Sequence, residues 1–447
     1  MLENLTPKRQ LNFLQTFSII IGQVIGSGIF INIPIVAAIT GNVWLSVFIW
    51  FIGGLLWLPQ IFILAEMGTA YPEQGGPYYF INKAGSPFLA FIYTWTAFLT
   101  SDTPTLTIIG LLAADALSFF FPFLSISIYA KIFAAALIVI FSLIQYRSVK
   151  VGGNVQVGLT ISKLLPLLTV ILIGIYFFYS GKSEIIFSKF DSNVQNIFVI
   201  IPAGIGATVW AYAGFLNILY TSGEVINPQK TLPKALIGSI LLVMAAYILI
   251  SFFTAVIVPF DELVKIENGK FVNPFYFVDA LKNNAGGIFA LAVFVSMLGV
   301  LNSSVITQPR LEYAMAKDGL FFTKFAHLNK KYLTPDFSIF SQSVFAVILL
   351  IGDINDLLGY FSLSYVLQNM LVYGSIFFLR KKEDYNPTYK SPLWFLMAVL
   401  SVLIQLYLAY GIIIAFPLGG LFACLFLIAT GLPFYLYFLS EKKKSNR

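Results

Sequence analysis

The chain is 447 residues long, 58% hydrophobic and only 11% charged, with a formal net charge of +7. Soluble domains carry about 25% charged residues and at most about half apolar ones, so no water-soluble fold could bury this much apolar surface. One Cys (Cys424) and one His (His327) exclude a disulfide framework, a multi-cysteine metal site, a histidine-based triad and an HExxH zinc site. The Gly181-Lys182-Ser183 run has Tyr176 where a phosphate-binding loop needs its first glycine, which argues against ATP-driven pumping. No cofactor and no metal are expected.

A membrane-spanning helix needs roughly 20 mostly apolar residues, and on that scale the sequence predicts an all-α polytopic membrane protein with twelve spans. They cover about 13–38, 43–66, 84–118, 126–146, 155–179, 195–219, 233–258, 286–315, 337–351, 355–379, 392–415 and 418–439. The first lacks a signal-peptide cleavage site and outruns signal length, so it reads as a mature span. An even number puts both termini on one face. With the N-terminus inside, inside segments hold 20 of the 27 Lys and Arg, and outside loops hold five. That asymmetry predicts cytoplasmic termini. It also accounts for the basic charge without a nucleic-acid partner; the lipid bilayer is the expected surrounding.

Span one has a weak middle, Gly22-Gln23-Val24-Ile25-Gly26-Ser27-Gly28-Ile29-Phe30. Each interior glycine costs about 1 kcal/mol of helix relative to Ala, so three close together favour an opened backbone. Close packing through the Gly22/Gly26 pair is the competing reading. Span three holds Asp102 and Asp115. A carboxylate buried there would recognise a cationic side chain or carry a proton. Alternatively, Ser101 and Thr103-Pro104 mark a local break that satisfies Asp102, and Asp115 lies near the wet outer end. Lys131, at the start of span four, reads as snorkelling outward.

Lys163, in Thr160-Ile161-Ser162-Lys163-Leu164-Leu165-Pro166, lies about eight residues, or roughly 12 Å, inside span five. A central membrane lysine costs about 2.5–3.5 kcal/mol on insertion scales, so it either snorkels to the surface or serves a function. Span six is again rich in small residues, from Pro202-Ala203-Gly204 through Trp210-Ala211-Tyr212-Ala213-Gly214-Phe215. Weak helices five spans apart predict a single transporter domain over 1–447. Inverted repeats would cover 13–180 and 195–380, two further spans 392–440, and a binding site would lie near the midplane. A broken helix exposes N–H groups on one half and C=O groups on the other. The first attract an anion and the second a cation, so a zwitterion fits both. That chemistry points to an amino acid.

Three further stretches join the span-one glycine run. They are Ala65-Glu66-Met67-Gly68 with Tyr71-Pro72-Glu73-Gln74-Gly75-Gly76-Pro77-Tyr78, Gly223-Glu224-Val225-Ile226-Asn227-Pro228-Gln229-Lys230-Thr231-Leu232-Pro233-Lys234-Ala235, and Arg310-Leu311-Glu312-Tyr313-Ala314-Met315-Ala316-Lys317-Asp318-Gly319-Leu320. Together, and in order along most of the chain, they resemble the amino acid–polyamine–organocation (APC) superfamily of secondary transporters. The resemblance implies the LeuT fold, with 5+5 inverted repeats and discontinuous helices 1 and 6. It further implies that the N–H groups of Ser27, Gly28 and Ile29, with the Ser27 hydroxyl, hold the substrate carboxylate. Carbonyls of Ile25, Trp210 and Ala213, in the stretch that includes Ala211, would hold its ammonium. Trp210 would cap the pocket as an aromatic gate, against the plainer reading of a buried aromatic.

By the same resemblance, the Lys163 ammonium replaces a sodium ion and contacts the carbonyls of Gly22 and Ile25 and a span-eight hydroxyl, for which Ser304 is chosen. If Lys163 gains and loses a proton, transport couples to pH; if it stays charged, the protein is an exchanger. Gln23 departs from the family's small residue and would narrow the pocket or bond the substrate. Ala213 and Leu216 are apolar where some relatives are polar.

Glu66, Glu224 and Arg310 fall at inner helix ends, as helix-end charges or as gate ion pairs. The expected function is sodium-independent transport of an L-amino acid across the plasma membrane, proton-coupled or by exchange. A neutral substrate is preferred because no carboxylate lies in the matched positions of spans one, six or eight. A cationic amino acid or polyamine would instead require Asp102 to face the pocket. A sensor without flux is a remote alternative, and a partner subunit is left open.

Overall fold

The computed structural model describes residues 6–26, 28–181, 197–267, 270–352, 354–415 and 418–445. Ser27 lies outside the described residues, as do the side chains of Trp210 and Cys424. Among the described residues the chain is helical, with one isolated bridge between Leu11 and Val225. Helices form at each of the twelve apolar segments.

The first segment is α1 (Phe13–Val24) followed by α2 (Gly28–Thr40). Asn12 starts α1 through a reciprocal cap: its Oδ1 accepts from Gln15 N at 2.9 Å, and Gln15 Oε1 accepts from Asn12 N at 3.0 Å. The helix stops at Ile25, whose backbone is extended (φ −79°, ψ 99°), and the two halves are bent by 47°. Next come α3 (Val43–Leu55), α4 (Leu58–Ala70) and the short α5 (Gly76–Lys83). A long helical run then joins α6 (Pro87–Thr96) to α7 (Thr103–Ser118) through a π-helical turn at Ala97–Asp102. It is followed by α8 (Ser127–Arg147) and the 31-residue α9 (Val149–Tyr179).

The sixth segment is α10 (Ile197–Val209), which tightens into a 3₁₀ turn at Trp210–Tyr212, opens at Ala213 and Gly214, and resumes as a 3₁₀ helix, Phe215–Glu224. Beyond it lie α11 (Pro228–Ile257), α12 (Phe260–Val264), α13 (Ala285–Thr307) and α14 (Pro309–Lys317). The chain closes with α15 (Asp336–Leu349), α16 (Ile354–Leu379), α17 (Trp394–Ala415) and α18 (Leu418–Ser445).

Among the described residues, six helical runs are long and apolar enough to cross a membrane alone, and the bent α1–α2 pair makes a seventh. Shorter apolar helices cover Val199–Val209, Asp336–Leu349, Ser364–Leu379 and Trp394–Tyr410. The most apolar window of α6–α7 is 72% buried within the protein, whereas those of α8 and α9 are only 22% buried. Leu143, Leu165 and Leu172 on those outer helices are therefore exposed, as lipid-facing side chains are. The molecule is a multi-pass membrane protein.

Helix α13 occupies the centre, packed on α7, α9 and α1, while α1 also packs on α9 and α11. A buried polar seam fixes these helices in depth. Asn302 on α13 accepts from Gln145 Nε2 of α8 at 2.9 Å and donates to Gln156 Oε1 of α9 at 2.8 Å. Thr160 of α9 then donates to the Ser18 carbonyl of α1 at 3.1 Å. Lys163 follows one turn later.

Candidate functional site

Lys163 reaches inward rather than snorkelling out. Its side chain is buried, and Nζ donates to the carbonyls of Gly22 at 3.0 Å, Ile25 at 2.5 Å and Ile21 at 3.3 Å. The Gly22 and Ile25 carbonyls lie past the last helical bond of α1, where the break leaves them without intrahelical partners, while the Ile21 carbonyl also accepts the Ile25 N–H at 3.0 Å. An ammonium has three donors and a carbonyl only accepts, so the match is complete for the charged lysine. Gly299 of α13 makes room for it: a Cβ there would sit 3.1 Å from Lys163 Cε and 3.3 Å from Nζ.

Two expectations are corrected here. Ser304 does not meet Lys163; Gln23 Nε2 donates to its hydroxyl at 3.3 Å and to Thr307 Oγ1 at 3.3 Å. The span-eight hydroxyl beside the lysine is Ser296, which donates to the Ile25 carbonyl at 3.2 Å. Ser304 lies about two helical turns further along α13, beyond the lysine's level. Ile25 was expected to serve both Lys163 and the substrate ammonium, but Lys163 and Ser296 occupy its carbonyl's two lone pairs.

The second break approaches the first at Gly214, whose φ of +118° is one that L side chains rarely adopt. A Cβ at Gly214 would also lie 3.1 Å from Gln23 Cβ and 3.2 Å from the Gln23 backbone. Gly28, at the start of α2, faces Ala211, with 3.7 Å between its would-be Cβ and the Ala211 Cα. Tyr247 of α11 ties the breaks together: its hydroxyl reaches the Ala211 carbonyl at 2.9 Å and the Val24 carbonyl at 3.3 Å. Its ring packs on Trp50 and Tyr212, and Tyr212 donates to the Trp50 carbonyl at 2.9 Å.

Between the breaks lies a cavity of about 220 Å³. Gln23, Gly26, Gly28, Ala211, Ala213 and Gly214 line it from the broken segments, and Asp102 from the π-helical turn. Pockets for drug-sized ligands run to about 300–1,000 Å³, so this one suits a small metabolite. Ile25 and Ile29 are packed in the core and do not line it. Sequence reasoning missed Tyr93, Tyr220, Gln308, Tyr365 and Gln368, which also line the cavity, together with Tyr247 and Ser296. Gln368, a polar residue within the apolar tenth span, was the signal available.

On the side carrying the N-terminus lie two ion pairs, Glu224–Arg310 buried on both sides and Glu66–Arg380 with a buried carboxylate and a part-exposed guanidinium. Glu66 accepts from Arg380 Nε and Nη2 at 2.7 Å each, from Tyr385 at 2.9 Å and from Ser391 N at 2.7 Å. Glu224 accepts from Arg310 Nε at 2.9 Å and from Gln74 Nε2 at 2.9 Å. The Glu224 carbonyl accepts from the backbone N–H groups of Gln10 and Leu11 at 2.8 and 2.9 Å. Nearby at the surface, Lys83 pairs with Asp384 at 2.9 Å, and that contact holds the Asp384 carboxyl below its ordinary range.

The amino acid permease family model matches residues 11–437. The mouse b(0,+)-type amino acid transporter 1 is 29% identical over 99% of this chain and 90% of its own length. The serine/threonine exchanger SteT of Bacillus subtilis (strain 168) is 28% identical over 98% of both chains. The human cystine/glutamate transporter is 28% identical over 99% of this chain and 87% of its own. With two broken helices around a small cavity and a family match over nearly the whole length, the chain belongs to the amino acid permease family of APC-superfamily amino-acid transporters.

Proposed function

We propose that this protein exchanges L-α-amino acids across the plasma membrane without sodium. The observation that carries the reading is the Lys163 ammonium seated on three carbonyls of the broken α1, where a tethered cation makes a sodium ion dispensable. The substrate carboxylate binds at the N–H groups of Ser27, Gly28 and Ile29, at the positive end of α2. Its ammonium binds at carbonyls of the sixth segment, around Trp210 and Ala213, with Trp210 as the gate. A polyamine lacks the carboxylate that the α2 end attracts.

The reading includes twelve spans, 5+5 inverted repeats in a LeuT fold and cytoplasmic termini. It is supported by helices at all twelve apolar segments, breaks five segments apart and the Lys and Arg asymmetry. The Glu66–Arg380 and Glu224–Arg310 pairs act as the inner gate and separate when the cytoplasmic side opens. Exchange is favoured because Lys163 has an acceptor for each of its donors, and because SteT is an exchanger. The neutral preference read from spans one, six and eight passes over Asp102, which lines the same cavity from the third segment.

The test is counterflow in proteoliposomes loaded in turn with each L-amino acid, with and without sodium, at two pH values. Sodium-free counterflow that needs an internal amino acid supports exchange. Strict sodium dependence refutes the role of Lys163, uphill uptake driven by a pH gradient replaces exchange with proton symport, and tight binding without flux makes the protein a sensor.

A further inference from the structure

We propose that Asp102 is a side-chain subsite that selects L-amino acids carrying a second positive charge, an ammonium or guanidinium at the end of the side chain. This deepens, and rests on, the transporter reading above. Asp102 is the one charged side chain among the described residues that line the cavity. It is 5% exposed, and its Oδ2 has no hydrogen-bond partner.

The fold builds this position. The π-helical turn Ala97–Asp102 widens the helix just before Pro104, which supplies no N–H, and such turns often re-aim side chains at functional sites. Thr105 Oγ1 donates to the Ser101 carbonyl at 2.7 Å, a bond in which the Asp102 carboxylate takes no part. Several neighbouring polar groups are engaged elsewhere, although Thr103 Oγ1 and Gln308 Oε1 are unpartnered. Tyr93 and Tyr220 bond each other at 2.8 Å, and Tyr365 receives the Gly214 N–H at 3.3 Å. Gln368 donates to Ser364 and Thr96 and accepts from Ser101.

Among the described residues, no lysine or arginine is paired with the carboxylate. Lys163 is held by α1 carbonyls and Arg310 by Glu224, while Glu312, one turn beyond Gln308, adds a second buried carboxylate with both oxygens unpartnered. The backbone ends of the breaks match both charges of the α-amino and α-carboxyl groups, so a neutral amino acid leaves Asp102 unanswered. A side-chain cation answers it, in a cavity that Tyr93, Tyr220 and Tyr365 also line.

The experiment is competition for sodium-free counterflow of labelled arginine by lysine, ornithine, serine and leucine, in wild type and in Asp102→Asn purified as a monodisperse peak. In wild type, lysine and ornithine should compete at least about tenfold better than serine or leucine, the worth of one charge-assisted contact. In Asp102→Asn the ratio of arginine to serine uptake should fall by a similar factor. Neutral amino-acid exchange without arginine uptake, or an unchanged ratio in Asp102→Asn, overturns the assignment and leaves the transporter reading standing. Absence of exchange with every L-amino acid in folded wild type overturns both.

Discussion

Replacing Lys163 by Met removes the cation while keeping most of the side-chain volume. The lysine makes three hydrogen bonds to carbonyls at 2.5–3.3 Å. Hydrogen bonds to charged groups contribute about 1.5–3 kcal/mol each, and placing a lysine at this depth costs about 2.5–3.5 kcal/mol. The seated ammonium therefore stabilises the broken α1 by about 1–6.5 kcal/mol net, with a midpoint of about 4. Tenfold corresponds to about 1.4 kcal/mol, so sodium-free counterflow per folded protein should fall by more than about tenfold in Lys163→Met. Lys163→Ala, which vacates the carbonyls, should recover part of the flux when sodium is added. Counterflow by Lys163→Met at the wild-type rate would refute the idea that a cation at this place is needed at all.

Two other substitutions test how the site is held. Gly214→Ala puts a Cβ against Gln23 at a φ that costs about 1–3 kcal/mol for a non-glycine residue, and should weaken substrate binding about tenfold or more in a titration; unchanged affinity would mean that the two breaks need not approach. Glu66→Ala strands Arg380 without its carboxylate. Breaking a fully buried pair costs about 3–5 kcal/mol, and less where the arginine is part-exposed as Arg380 is, so the variant should melt a few degrees lower in detergent, and an unaltered melting temperature would show that the pair is not a structural clamp.

The two breaks are legible in the sequence because glycine density and small residues act locally, within one turn. A functional Lys163 is legible for a related reason: a lone lysine deep in an apolar run has few physical outlets, while its carbonyl partners on α1 followed from the family resemblance. Ser296 was not, since span eight offers hydroxyls at several heights and only the packed depth of α13 against α9 selects one. Glu66 was recognised as a gate candidate, but its partner Arg380 lies 314 residues away, beyond the reach of any local pattern. Tyr247 and the cavity tyrosines gave no signal in a chain with 23 tyrosines. The face that Asp102 presents depended on a π-helical turn, which shifts register in a way that a 3.6-residue period does not anticipate.

The central claim is that an L-amino acid occupies the space between the two breaks and is exchanged without sodium. Gly28→Leu projects a side chain into that space from the first turn of α2, where the Ala211 Cα already stands 3.7 Å from a bare Cβ. Sodium-free counterflow of wild type and Gly28→Leu, each checked for folding by its melting temperature, is the most direct measurement. The account predicts brisk exchange by the wild type and its loss in the variant. A wild type that is silent until sodium is added, or a Gly28→Leu protein that exchanges at the wild-type rate, would contradict it.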